Sequence, residues 1–263
     1  MTTTSAAPST RLASRTALVT GSTSNIGRAI AVRLAAEGAH VVVSGRDQAR
    51  GDAVVDQIRT AGGRADFVAS DLDGTAAASH ALASAACETL GGRIDILVNN
   101  AGIYPPTTTL TADEDTFDRV YGVNVKAAYF LVQATVPGMT ERGGGTIINL
   151  GSWVARLGVA GGALYASTKG ALETLTRMWS AEFADRNIRV NAVSPGVIRP
   201  PELAPEVRFG GEQMMAGTPA GAVGHPDAVA AATAYLASDD AAFVHGTVLD
   251  VDGGRTGVAV IAG

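Results

Sequence analysis

One stretch near the start of the chain, Thr16-Ala17-Leu18-Val19-Thr20-Gly21-Ser22-Thr23-Ser24-Asn25-Ile26-Gly27-Arg28, decides the fold. Its first residues are apolar or β-branched and predict a short buried strand. Ile26, Ile30 and Leu34 then recur at the spacing of one helical face, so a helix follows the turn. A glycine-rich turn that opens a helix presents free backbone N–H groups to a phosphate. The stretch therefore predicts either a pyrophosphate-binding turn or a plain tight connection between strand and helix.

Six residues of the turn and of the helix start could contact a dinucleotide. They are Gly21, Ser22, Thr23, Asn25, Ile26 and Gly27. Asn25 stands where a glycine would give free access to a positive φ angle. Asparagine is one of the few other residues that tolerates that conformation. We therefore expect the turn to form with asparagine at this position.

The same alternation of a short apolar run with a longer helical pattern continues along the chain. The predicted strands are Thr16–Thr20, Val41–Val43, Ile94–Val98, Thr146–Leu150 and Ile188–Val193. Strands that are apolar on both faces belong in a parallel sheet, which requires crossover helices. We predict an α/β protein with a single-domain Rossmann fold, in which helices cover both faces of a doubly wound parallel sheet.

Composition is consistent with one large domain. The chain has 263 residues, of which 46% are hydrophobic, enough for one full core. The first 14 residues are rich in Thr, Ser and Ala and predict a flexible tail, so the domain should span residues 15–263. No stretch reaches eighteen apolar residues, and no secretory signal pattern opens the chain.

Charge and cysteine content limit the partners. A net charge of −5 without a basic stripe argues against nucleic acid and membrane and favours a small-molecule ligand. Cys87 is the only cysteine, which is typical of a reducing compartment, so we expect a cytoplasmic protein. The four histidines are scattered, and no metal site is predicted.

A second motif, Tyr165-Ala166-Ser167-Thr168-Lys169, lies after the fourth predicted strand, with Ser152 thirteen residues before Tyr165. Residues four apart share a helix face, so the Lys169 ammonium can lie beside the Tyr165 phenol and favour its ionised form. An ordinary surface pair would explain the spacing too. With five tyrosines and only two lysines in the chain, however, the spacing is expected by chance far less than once. Catalysis is the better interpretation.

The end of the second strand bears on cofactor choice. Ser44-Gly45-Arg46 stands where a carboxylate would bind the adenosine ribose of NAD(H). The Arg46 guanidinium could instead pair with a 2′-phosphate, which favours NADP(H), with NAD(H) as the alternative. Arg46 could equally be a solvated charge at the start of the next helix.

A long irregular region, residues 197–225, contains several prolines and glycines. Loops of this length in a compact domain are usually lids or disordered segments. Phe209, Met214 and Met215 favour a substrate lid with apolar contacts, and a loose insertion is the other interpretation.

Taken together, the turn and the Ser/Tyr/Lys set make the chain resemble the short-chain dehydrogenase/reductase family from about residue 16 to residue 254. Further residues match the family's cofactor positions: Asp71, Leu72, Asn100, Ala101, Gly102, Pro195, Gly196 and Ile198, together with Tyr165 and Lys169. Asp252-Gly253-Gly254 resembles the family's C-terminal element. Two departures are Asn25 in the turn and Pro200 where many members carry threonine.

The resemblance implies hydride transfer between a nicotinamide and a ketone or secondary alcohol. The implied catalytic residues are Asn124, Ser152, Tyr165 and Lys169. Tyr165 would act as general acid/base, with its pKa lowered by the Lys169 cation and by bound oxidised cofactor. Ser152 would orient the substrate oxygen, and Asn124 would hold a water beside the lysine. A catalytically silent, cofactor-sensing regulator is the alternative, although such proteins usually lose the tyrosine or the lysine.

The substrate stays open at this level. Similarity is greatest to 3-oxoacyl-acyl-carrier-protein reductases and to relatives that act on sugars, hydroxy acids and cyclic alcohols. An acidic carrier protein would call for a basic surface, to which Arg156 and Arg208 could contribute, although ordinary solvated arginines explain them equally well. The family's habit and the apolar end at residues 258–261 suggest a homo-oligomer, a tetramer by analogy.

Overall fold

The computed structural model describes residues 10–259 with the exception of 205 and 208. Seven strands form one fully parallel sheet in the order β3-β2-β1-β4-β5-β6-β7. They are β1 Thr16–Val19, β2 His40–Gly45, β3 Arg64–Ala69, β4 Ile96–Asn99, β5 Gly145–Leu150, β6 Ile188–Pro195 and β7 Val248–Val251. The predicted doubly wound Rossmann sheet is confirmed, and its strand order reverses between β1 and β4.

Helices cover both faces of this sheet. They are α1 Asn25–Ala36, α2 Gln48–Thr60, α3 Ala76–Thr89, α4 Glu114–Tyr121, α5 Ala127–Glu141, α6 Ala163–Glu182 and α7 Pro226–Ala237. One apolar core forms between the sheet and α1, α2 and α7. The second forms on the opposite face, with α3, α5 and the end of α6. Burial of apolar surface on both faces is what holds each helix in place.

Part of the expected tail packs against the domain. Leu12 is fully buried, and its backbone N–H donates to Glu37 O at 2.9 Å. Arg11 forms an ion pair with Glu37 at 2.7 Å. The boundary placed after residue 14 is therefore too late, because a leucine near the chain start fills a gap beside α1. Residues 1–9 of the expected tail, and residues 260 and 261 of the apolar end, lie outside the described residues.

The segment expected to be a lid contains a short 3₁₀ helix, Gly210–Met215, whose last residue is buried. Arg199 contacts the segment from within: it donates to Ala204 O at 2.8 Å, to Val207 O at 2.7 Å and to Glu212 Oε1 at 2.8 Å. The contact between Ile198 and Gly224 closes its base. The segment therefore has internal contacts over the part that the structure describes.

Candidate active site

Helix α6 carries Tyr165 and Lys169 on one face, as the spacing predicts. The Lys169 Nζ lies 5.6 Å from the centroid of the Tyr165 ring. Lys169 is only 4% exposed, and its Nζ donates to Leu150 O at the end of β5 at 2.7 Å. This contact ties α6 to the strand that leads to Ser152.

The pKa values of this pair differ from the expectation. Burial raises the pKa of Tyr165 to about 12, a hydrogen bond from Ser152 lowers it, and Tyr104 raises it further. Burial also lowers the pKa of Lys169 to about 8. The expected lowering of the Tyr165 pKa is therefore wrong for the protein alone, because desolvation of the phenolate is the largest influence on it.

Ser152 is buried directly after β5, where the chain turns into a 3₁₀ helix, Trp153–Ala155. A strand end followed by a tight turn fixes the serine against α6, and its hydroxyl hydrogen-bonds the Tyr165 phenol. Tyr104 covers the other side of Tyr165, with ring centroids 4.7 Å apart and planes tilted by 49°. Tyr104 precedes Tyr165 by 61 residues, and no sequence spacing indicates this contact.

Asn124 lies in a π-helical segment, Gly122–Lys126, between α4 and α5. Its Oδ1 accepts from Ile103 N at 2.8 Å, and its Nδ2 donates to Ile103 O at 3.0 Å and to Thr168 Oγ1 at 3.1 Å. Thr168 precedes Lys169, so the buried Asn124 amide joins the π-helical segment to α6. Single-turn π segments of this kind inside α-helices are frequent at functional sites.

The predicted phosphate-binding turn has a conformation that requires glycine. A Cβ on Gly21, where φ is +61°, would lie 2.9 Å from Ala101 Cα. On Gly27 it would lie 2.3 Å from Gly21 O. Asn100 holds the turn from β4, donating from Nδ2 to Thr20 O at 2.8 Å and to Gly21 O at 3.0 Å. The backbone can therefore approach a ligand closely.

Asn25 adopts a φ of +43°, as expected for the position, and begins helix α1. Its buried Oδ1 has no hydrogen-bond partner among the described residues. An amide oxygen accepts hydrogen bonds and would not bind an anion, so a pyrophosphate here would be held by the free backbone N–H groups at the start of α1.

A cavity of about 770 Å³ runs along the carboxyl ends of β1, β2 and β4 to Tyr165. It brings together most of the predicted cofactor residues: Gly21, Thr23, Asn25, Ile26, Gly27, Ser44, Arg46, Asp71, Leu72, Asn100, Ala101, Gly102 and Tyr165. Its glycine walls and helix N-terminus suit an elongated dinucleotide, so the residues present fit the implied cofactor.

Five predicted cofactor residues do not line this cavity: Ser22, Lys169, Pro195, Gly196 and Ile198. Ser22 is fully buried, donates to Val19 O at 2.6 Å and accepts from Ser44 N at 2.9 Å. Its hydroxyl closes the turn, so direct contact with a cofactor is not what this serine provides. Pro195 and Gly196 end β6.

The open end of the cavity is lined by charges of both signs. The Arg46 side chain is 65% exposed, and its Nε lies 4.0 Å from Asp71 Oδ1. Arg50, one turn into α2, was missed by the sequence reasoning although it follows Arg46 at helical spacing. Asp47, also missed, caps α2 by accepting from Arg50 N at 3.0 Å. Two guanidinium groups thus face the position where the second strand ends.

The structure shows the surroundings of one of the two arginines that could form a basic surface for an acidic carrier protein. Arg156 is paired with Asp250, donating from NH1 to Asp250 Oδ2 at 2.8 Å, so it is not a free charge available to a carrier protein. Arg208 lies outside the described residues.

Within residues 10–259, apart from 205 and 208, no helix is long and apolar enough to cross a membrane. The same part of the chain has no group of three or more metal-binding side chains.

A parallel sheet with a glycine-lined dinucleotide cavity that ends at a Ser/Tyr/Lys set defines a class of nicotinamide-dependent oxidoreductases. A family model described as enoyl-(acyl carrier protein) reductase matches residues 21–256. The chain belongs to the short-chain dehydrogenase/reductase family. Membership supports NAD(P)-dependent oxidoreductase activity on a CH–OH or C=O group.

The chain is similar to relatives whose names give different substrates. The chain is 36% identical to 2,5-dichloro-2,5-cyclohexadiene-1,4-diol dehydrogenase LinX of Sphingobium indicum, covering 93% of this chain and 97% of LinX. It is 34% identical to the 3-oxoacyl-[acyl-carrier-protein] reductase FabG of Thermotoga maritima, covering 93% and 98%.

A solved structure of a Beutenbergia cavernae protein, provisionally described as an NAD(P)-dependent gluconate 5-dehydrogenase, is 37% identical with a TM-score of 0.86. The match covers 94% of this chain and 98% of that one, which contains NADP at low occupancy. Reductases and dehydrogenases of unlike substrates therefore share this fold.

Proposed function

We propose that the chain is an NADP(H)-preferring enzyme that interconverts a ketone and a secondary alcohol, with Tyr165 as the general acid/base. The observation that carries the proposal is the position of Tyr165. Its phenol lies at the inner end of the cavity, accepts a hydrogen bond from Ser152 and has the Lys169 ammonium 5.6 Å from its ring.

The residues of the cavity would hold the cofactor along its length. Gly21 and Gly27 let the backbone approach the pyrophosphate at the start of α1, and Asn100 and Ala101 keep the turn in place. A bound nicotinamide supplies the hydride donor or acceptor for the carbon that bears the oxygen. Tyr165 gives a proton to that oxygen on reduction and takes it on oxidation.

The phenol needs help to ionise, because burial raises the pKa of Tyr165 to about 12. In the reduction direction the protonated phenol is the required form, and a raised pKa favours it at neutral pH. In the oxidation direction the Lys169 ammonium and a bound cationic nicotinamide oppose the desolvation effect. Lys169 keeps its ammonium form below its own pKa of about 8.

The three other residues position the reacting groups. Ser152 orients the substrate oxygen and stabilises charge on it. Lys169 holds the nicotinamide ribose, and Asn124, buried between Ile103 and Thr168, fixes the wide turn from which protons are exchanged with solvent. The segment 197–225 is proposed to close over the substrate as a lid, supported by its buried Met215.

Preference for NADP(H) over NAD(H) is supported by Arg46 and by Arg50, which both line the cavity where β2 ends. Guanidinium groups bind phosphate through charge-assisted, often bidentate hydrogen bonds. The related Beutenbergia cavernae structure contains NADP. Asp47 is adjacent, but its carboxylate already caps α2.

The physiological substrate is proposed to be a small carbonyl compound or alcohol rather than a nucleic acid or a membrane component. A homotetramer is proposed by family analogy, and the exposed Tyr129 and Met178 on α5 and α6 support an association surface. A cytoplasmic location is proposed from the single cysteine. The alternative of a silent regulator is disfavoured by the intact Tyr165 and Lys169.

A panel of ketones and secondary alcohols, run in parallel with NADPH, NADH and their oxidised forms, tests the proposal. We expect turnover of at least one carbonyl substrate and a higher kcat/KM with NADPH. No turnover across hydroxy acids, sugars, cyclic alcohols and acyl thioesters, despite tight NADPH binding, would favour the regulator. Equal kcat/KM for both cofactors would refute the preference.

A further inference from the structure

Arg156, Glu173, Ser194 and Asp250 form an ion-pair cluster beside the loop that carries Ser152. Glu173 and Ser194 are buried, whereas the side chains of Arg156 and Asp250 are 36% and 32% exposed. Arg156 donates to Asp250 Oδ2 at 2.8 Å and to Ser194 Oγ at 2.9 Å, and its Nε lies 3.7 Å from Glu173 Oε2. The cluster joins the loop after β5, helix α6, the end of β6 and strand β7. None of these four side chains takes part in the proposed reaction.

Glu173 is the member closest to the proposed machinery. It follows Lys169 by four residues on α6, and its side chain is only 6% exposed. Its Oε1 has no hydrogen-bond partner among the described residues, and a Cβ on Gly151 would lie 3.0 Å from that atom. Burial raises the pKa of the Glu173 carboxyl, and the Arg156 charge opposes the shift.

Lys169 and Glu173 contact the same short segment from the same helix. The Lys169 Nζ holds Leu150 O at 2.7 Å, and the Glu173 carboxylate packs against Gly151, the residue before Ser152. The Ser152 backbone amide also lowers the pKa of that carboxyl. Two successive turns of α6 therefore fix the approach of the chain to Ser152.

Arg156 fixes the same loop from its other end. It stands four residues after Ser152, and its guanidinium is shared between β7, through Asp250, and β6, through Ser194. Ser194 precedes Pro195 and Gly196, the turn expected near the nicotinamide. A movement of Arg156 would thus displace Ser152 relative to both α6 and that turn.

A buried carboxylate with an unpaired oxygen is destabilising unless it is compensated, and an apolar side chain would fill the same space at lower free energy. Stability alone therefore does not account for Glu173. A role in positioning does account for Glu173. Catalytic groups must be held within about 0.5 Å of their productive geometry, and this requires supporting contacts around each group.

We propose that Glu173 and Arg156 are positioning residues for Ser152: Glu173 supports the Gly151–Ser152 segment from α6, and Arg156 ties the following loop to β6 and β7. Neither side chain touches the reacting atoms. The inference rests on the proposed function for its kinetic test, but its structural consequence, the placement of Ser152 against Tyr165, is independent of that function.

The main test is Glu173→Gln, which keeps the shape and removes the charge. We expect kcat to fall by about 10-fold to 100-fold, the range that a displacement of about 1 Å produces, with the NADPH dissociation constant unchanged. Glu182→Gln is the matched control, because it makes the same chemical change at an exposed position of the same helix. It should leave kcat unchanged.

Arg156 supplies the second arm. Arg156→Gln should lower kcat by a similar factor, and Arg156→Lys should recover part of the loss because it restores the charge without the bidentate geometry. The double variant Glu173→Gln/Arg156→Gln should be less impaired than the product of the single effects, since both act on one loop. Strictly multiplicative losses would contradict a shared role.

A crystal structure of Glu173→Gln completes the test without any assay of turnover. We expect the distance between Ser152 Oγ and Tyr165 Oη to change by about 0.5 Å or more. If the wild-type protein turns over no substrate, the proposed function fails while this distance still decides the inference. An unchanged kcat or an unmoved Ser152 would overturn it, and Arg156→Lys provides the same measurements if Glu173→Gln does not fold.

Discussion

The two ends of the cavity are built in different ways. Around Tyr165 at the inner end, Asn124 and Lys169 are buried and form hydrogen bonds of 2.7–3.1 Å, and the buried Ser152 hydrogen-bonds the Tyr165 phenol. At the outer end, Arg46 is 65% exposed and its nearest carboxylate oxygen, on Asp71, lies at 4.0 Å. The inner end is thus fixed by contacts within the protein, whereas the outer end would gain its contacts from the proposed cofactor. Substitutions should therefore have large effects at the inner end and graded effects at the outer end.

The largest effect is expected for Tyr165→Phe, which removes only the phenolic oxygen at the inner end. General acid/base groups contribute about 100-fold to 10,000-fold, so kcat should fall by that range. NADPH affinity, measured by fluorescence titration, should stay unchanged. The control Tyr235→Phe makes the same change on α7, remote from the cavity, and should retain full activity. A Tyr165→Phe protein with normal turnover would remove the proposed acid/base.

Gly27→Ala tests whether the turn between the two ends is equally rigid. The added Cβ would lie 2.3 Å from Gly21 O, so the backbone must shift. We expect a loss of about 1–3 kcal/mol in the free energy of unfolding, as for overpacking, together with weaker NADPH binding. Denaturant unfolding of Gly170→Ala is the control. An added Cβ at Gly170 meets nothing within 4 Å, so helix propensity should stabilise that variant slightly. Equal stability of the two variants would show that the turn is not tightly packed.

Lys169→Met tests the stability consequence of the buried ammonium. Because the folded pKa of about 8 lies below the ordinary value of 10.5, the unfolded chain binds the proton more readily. The resulting destabilisation is fully present below pH 8, decreases between about pH 8 and 10.5, and is absent above. We expect the variant to be more stable than wild type by about 1–3 kcal/mol at pH 7, with loss of activity. The difference should narrow as the pH rises to 10; a gap that widens would contradict the assignment.

The smallest effect is expected at the outer end. Arg46→Ala should weaken NADPH binding by about 10-fold, equivalent to about 1.4 kcal/mol, and leave NADH binding unchanged. Arg64→Ala is the control. Arg64 is an exposed arginine at the start of β3, whereas the cavity lies at the carboxyl ends of the strands. If both cofactors lost affinity equally, the guanidinium would not be reading a 2′-phosphate.

The fold could be predicted largely because its central strands are apolar on both faces. The two strands absent from the five apolar runs, β3 and β7, form the edges of the sheet. Edge strands face solvent on one side and carry polar residues such as Arg64, Asp66 and Asp250, so they lack a continuous apolar run. Leu12 was assigned to a tail because one leucine among small polar residues carries no periodic signal.

The site could be predicted where its chemistry depends on local spacing, as with Tyr165 and Lys169, which are four residues apart. The pKa of Tyr165 could not be predicted in this way. The phenol is buried by Tyr104 and by the loop after β5, which are distant from it in sequence. The partners of Arg156 come from α6, β6 and β7. No sequence spacing reveals that they surround one guanidinium.

The π segment Gly122–Lys126 gives the chain one residue more than an α-helical turn would hold. Each residue of an α-helix adds a rotation of about 100°. Deleting Val123 would therefore turn all of α5 by that angle relative to α4, moving Leu131 and Met139 out of the core. The extra residue sets the rotation of α5 about its axis relative to α4. This part of the chain should therefore tolerate side-chain substitutions far better than insertions or deletions.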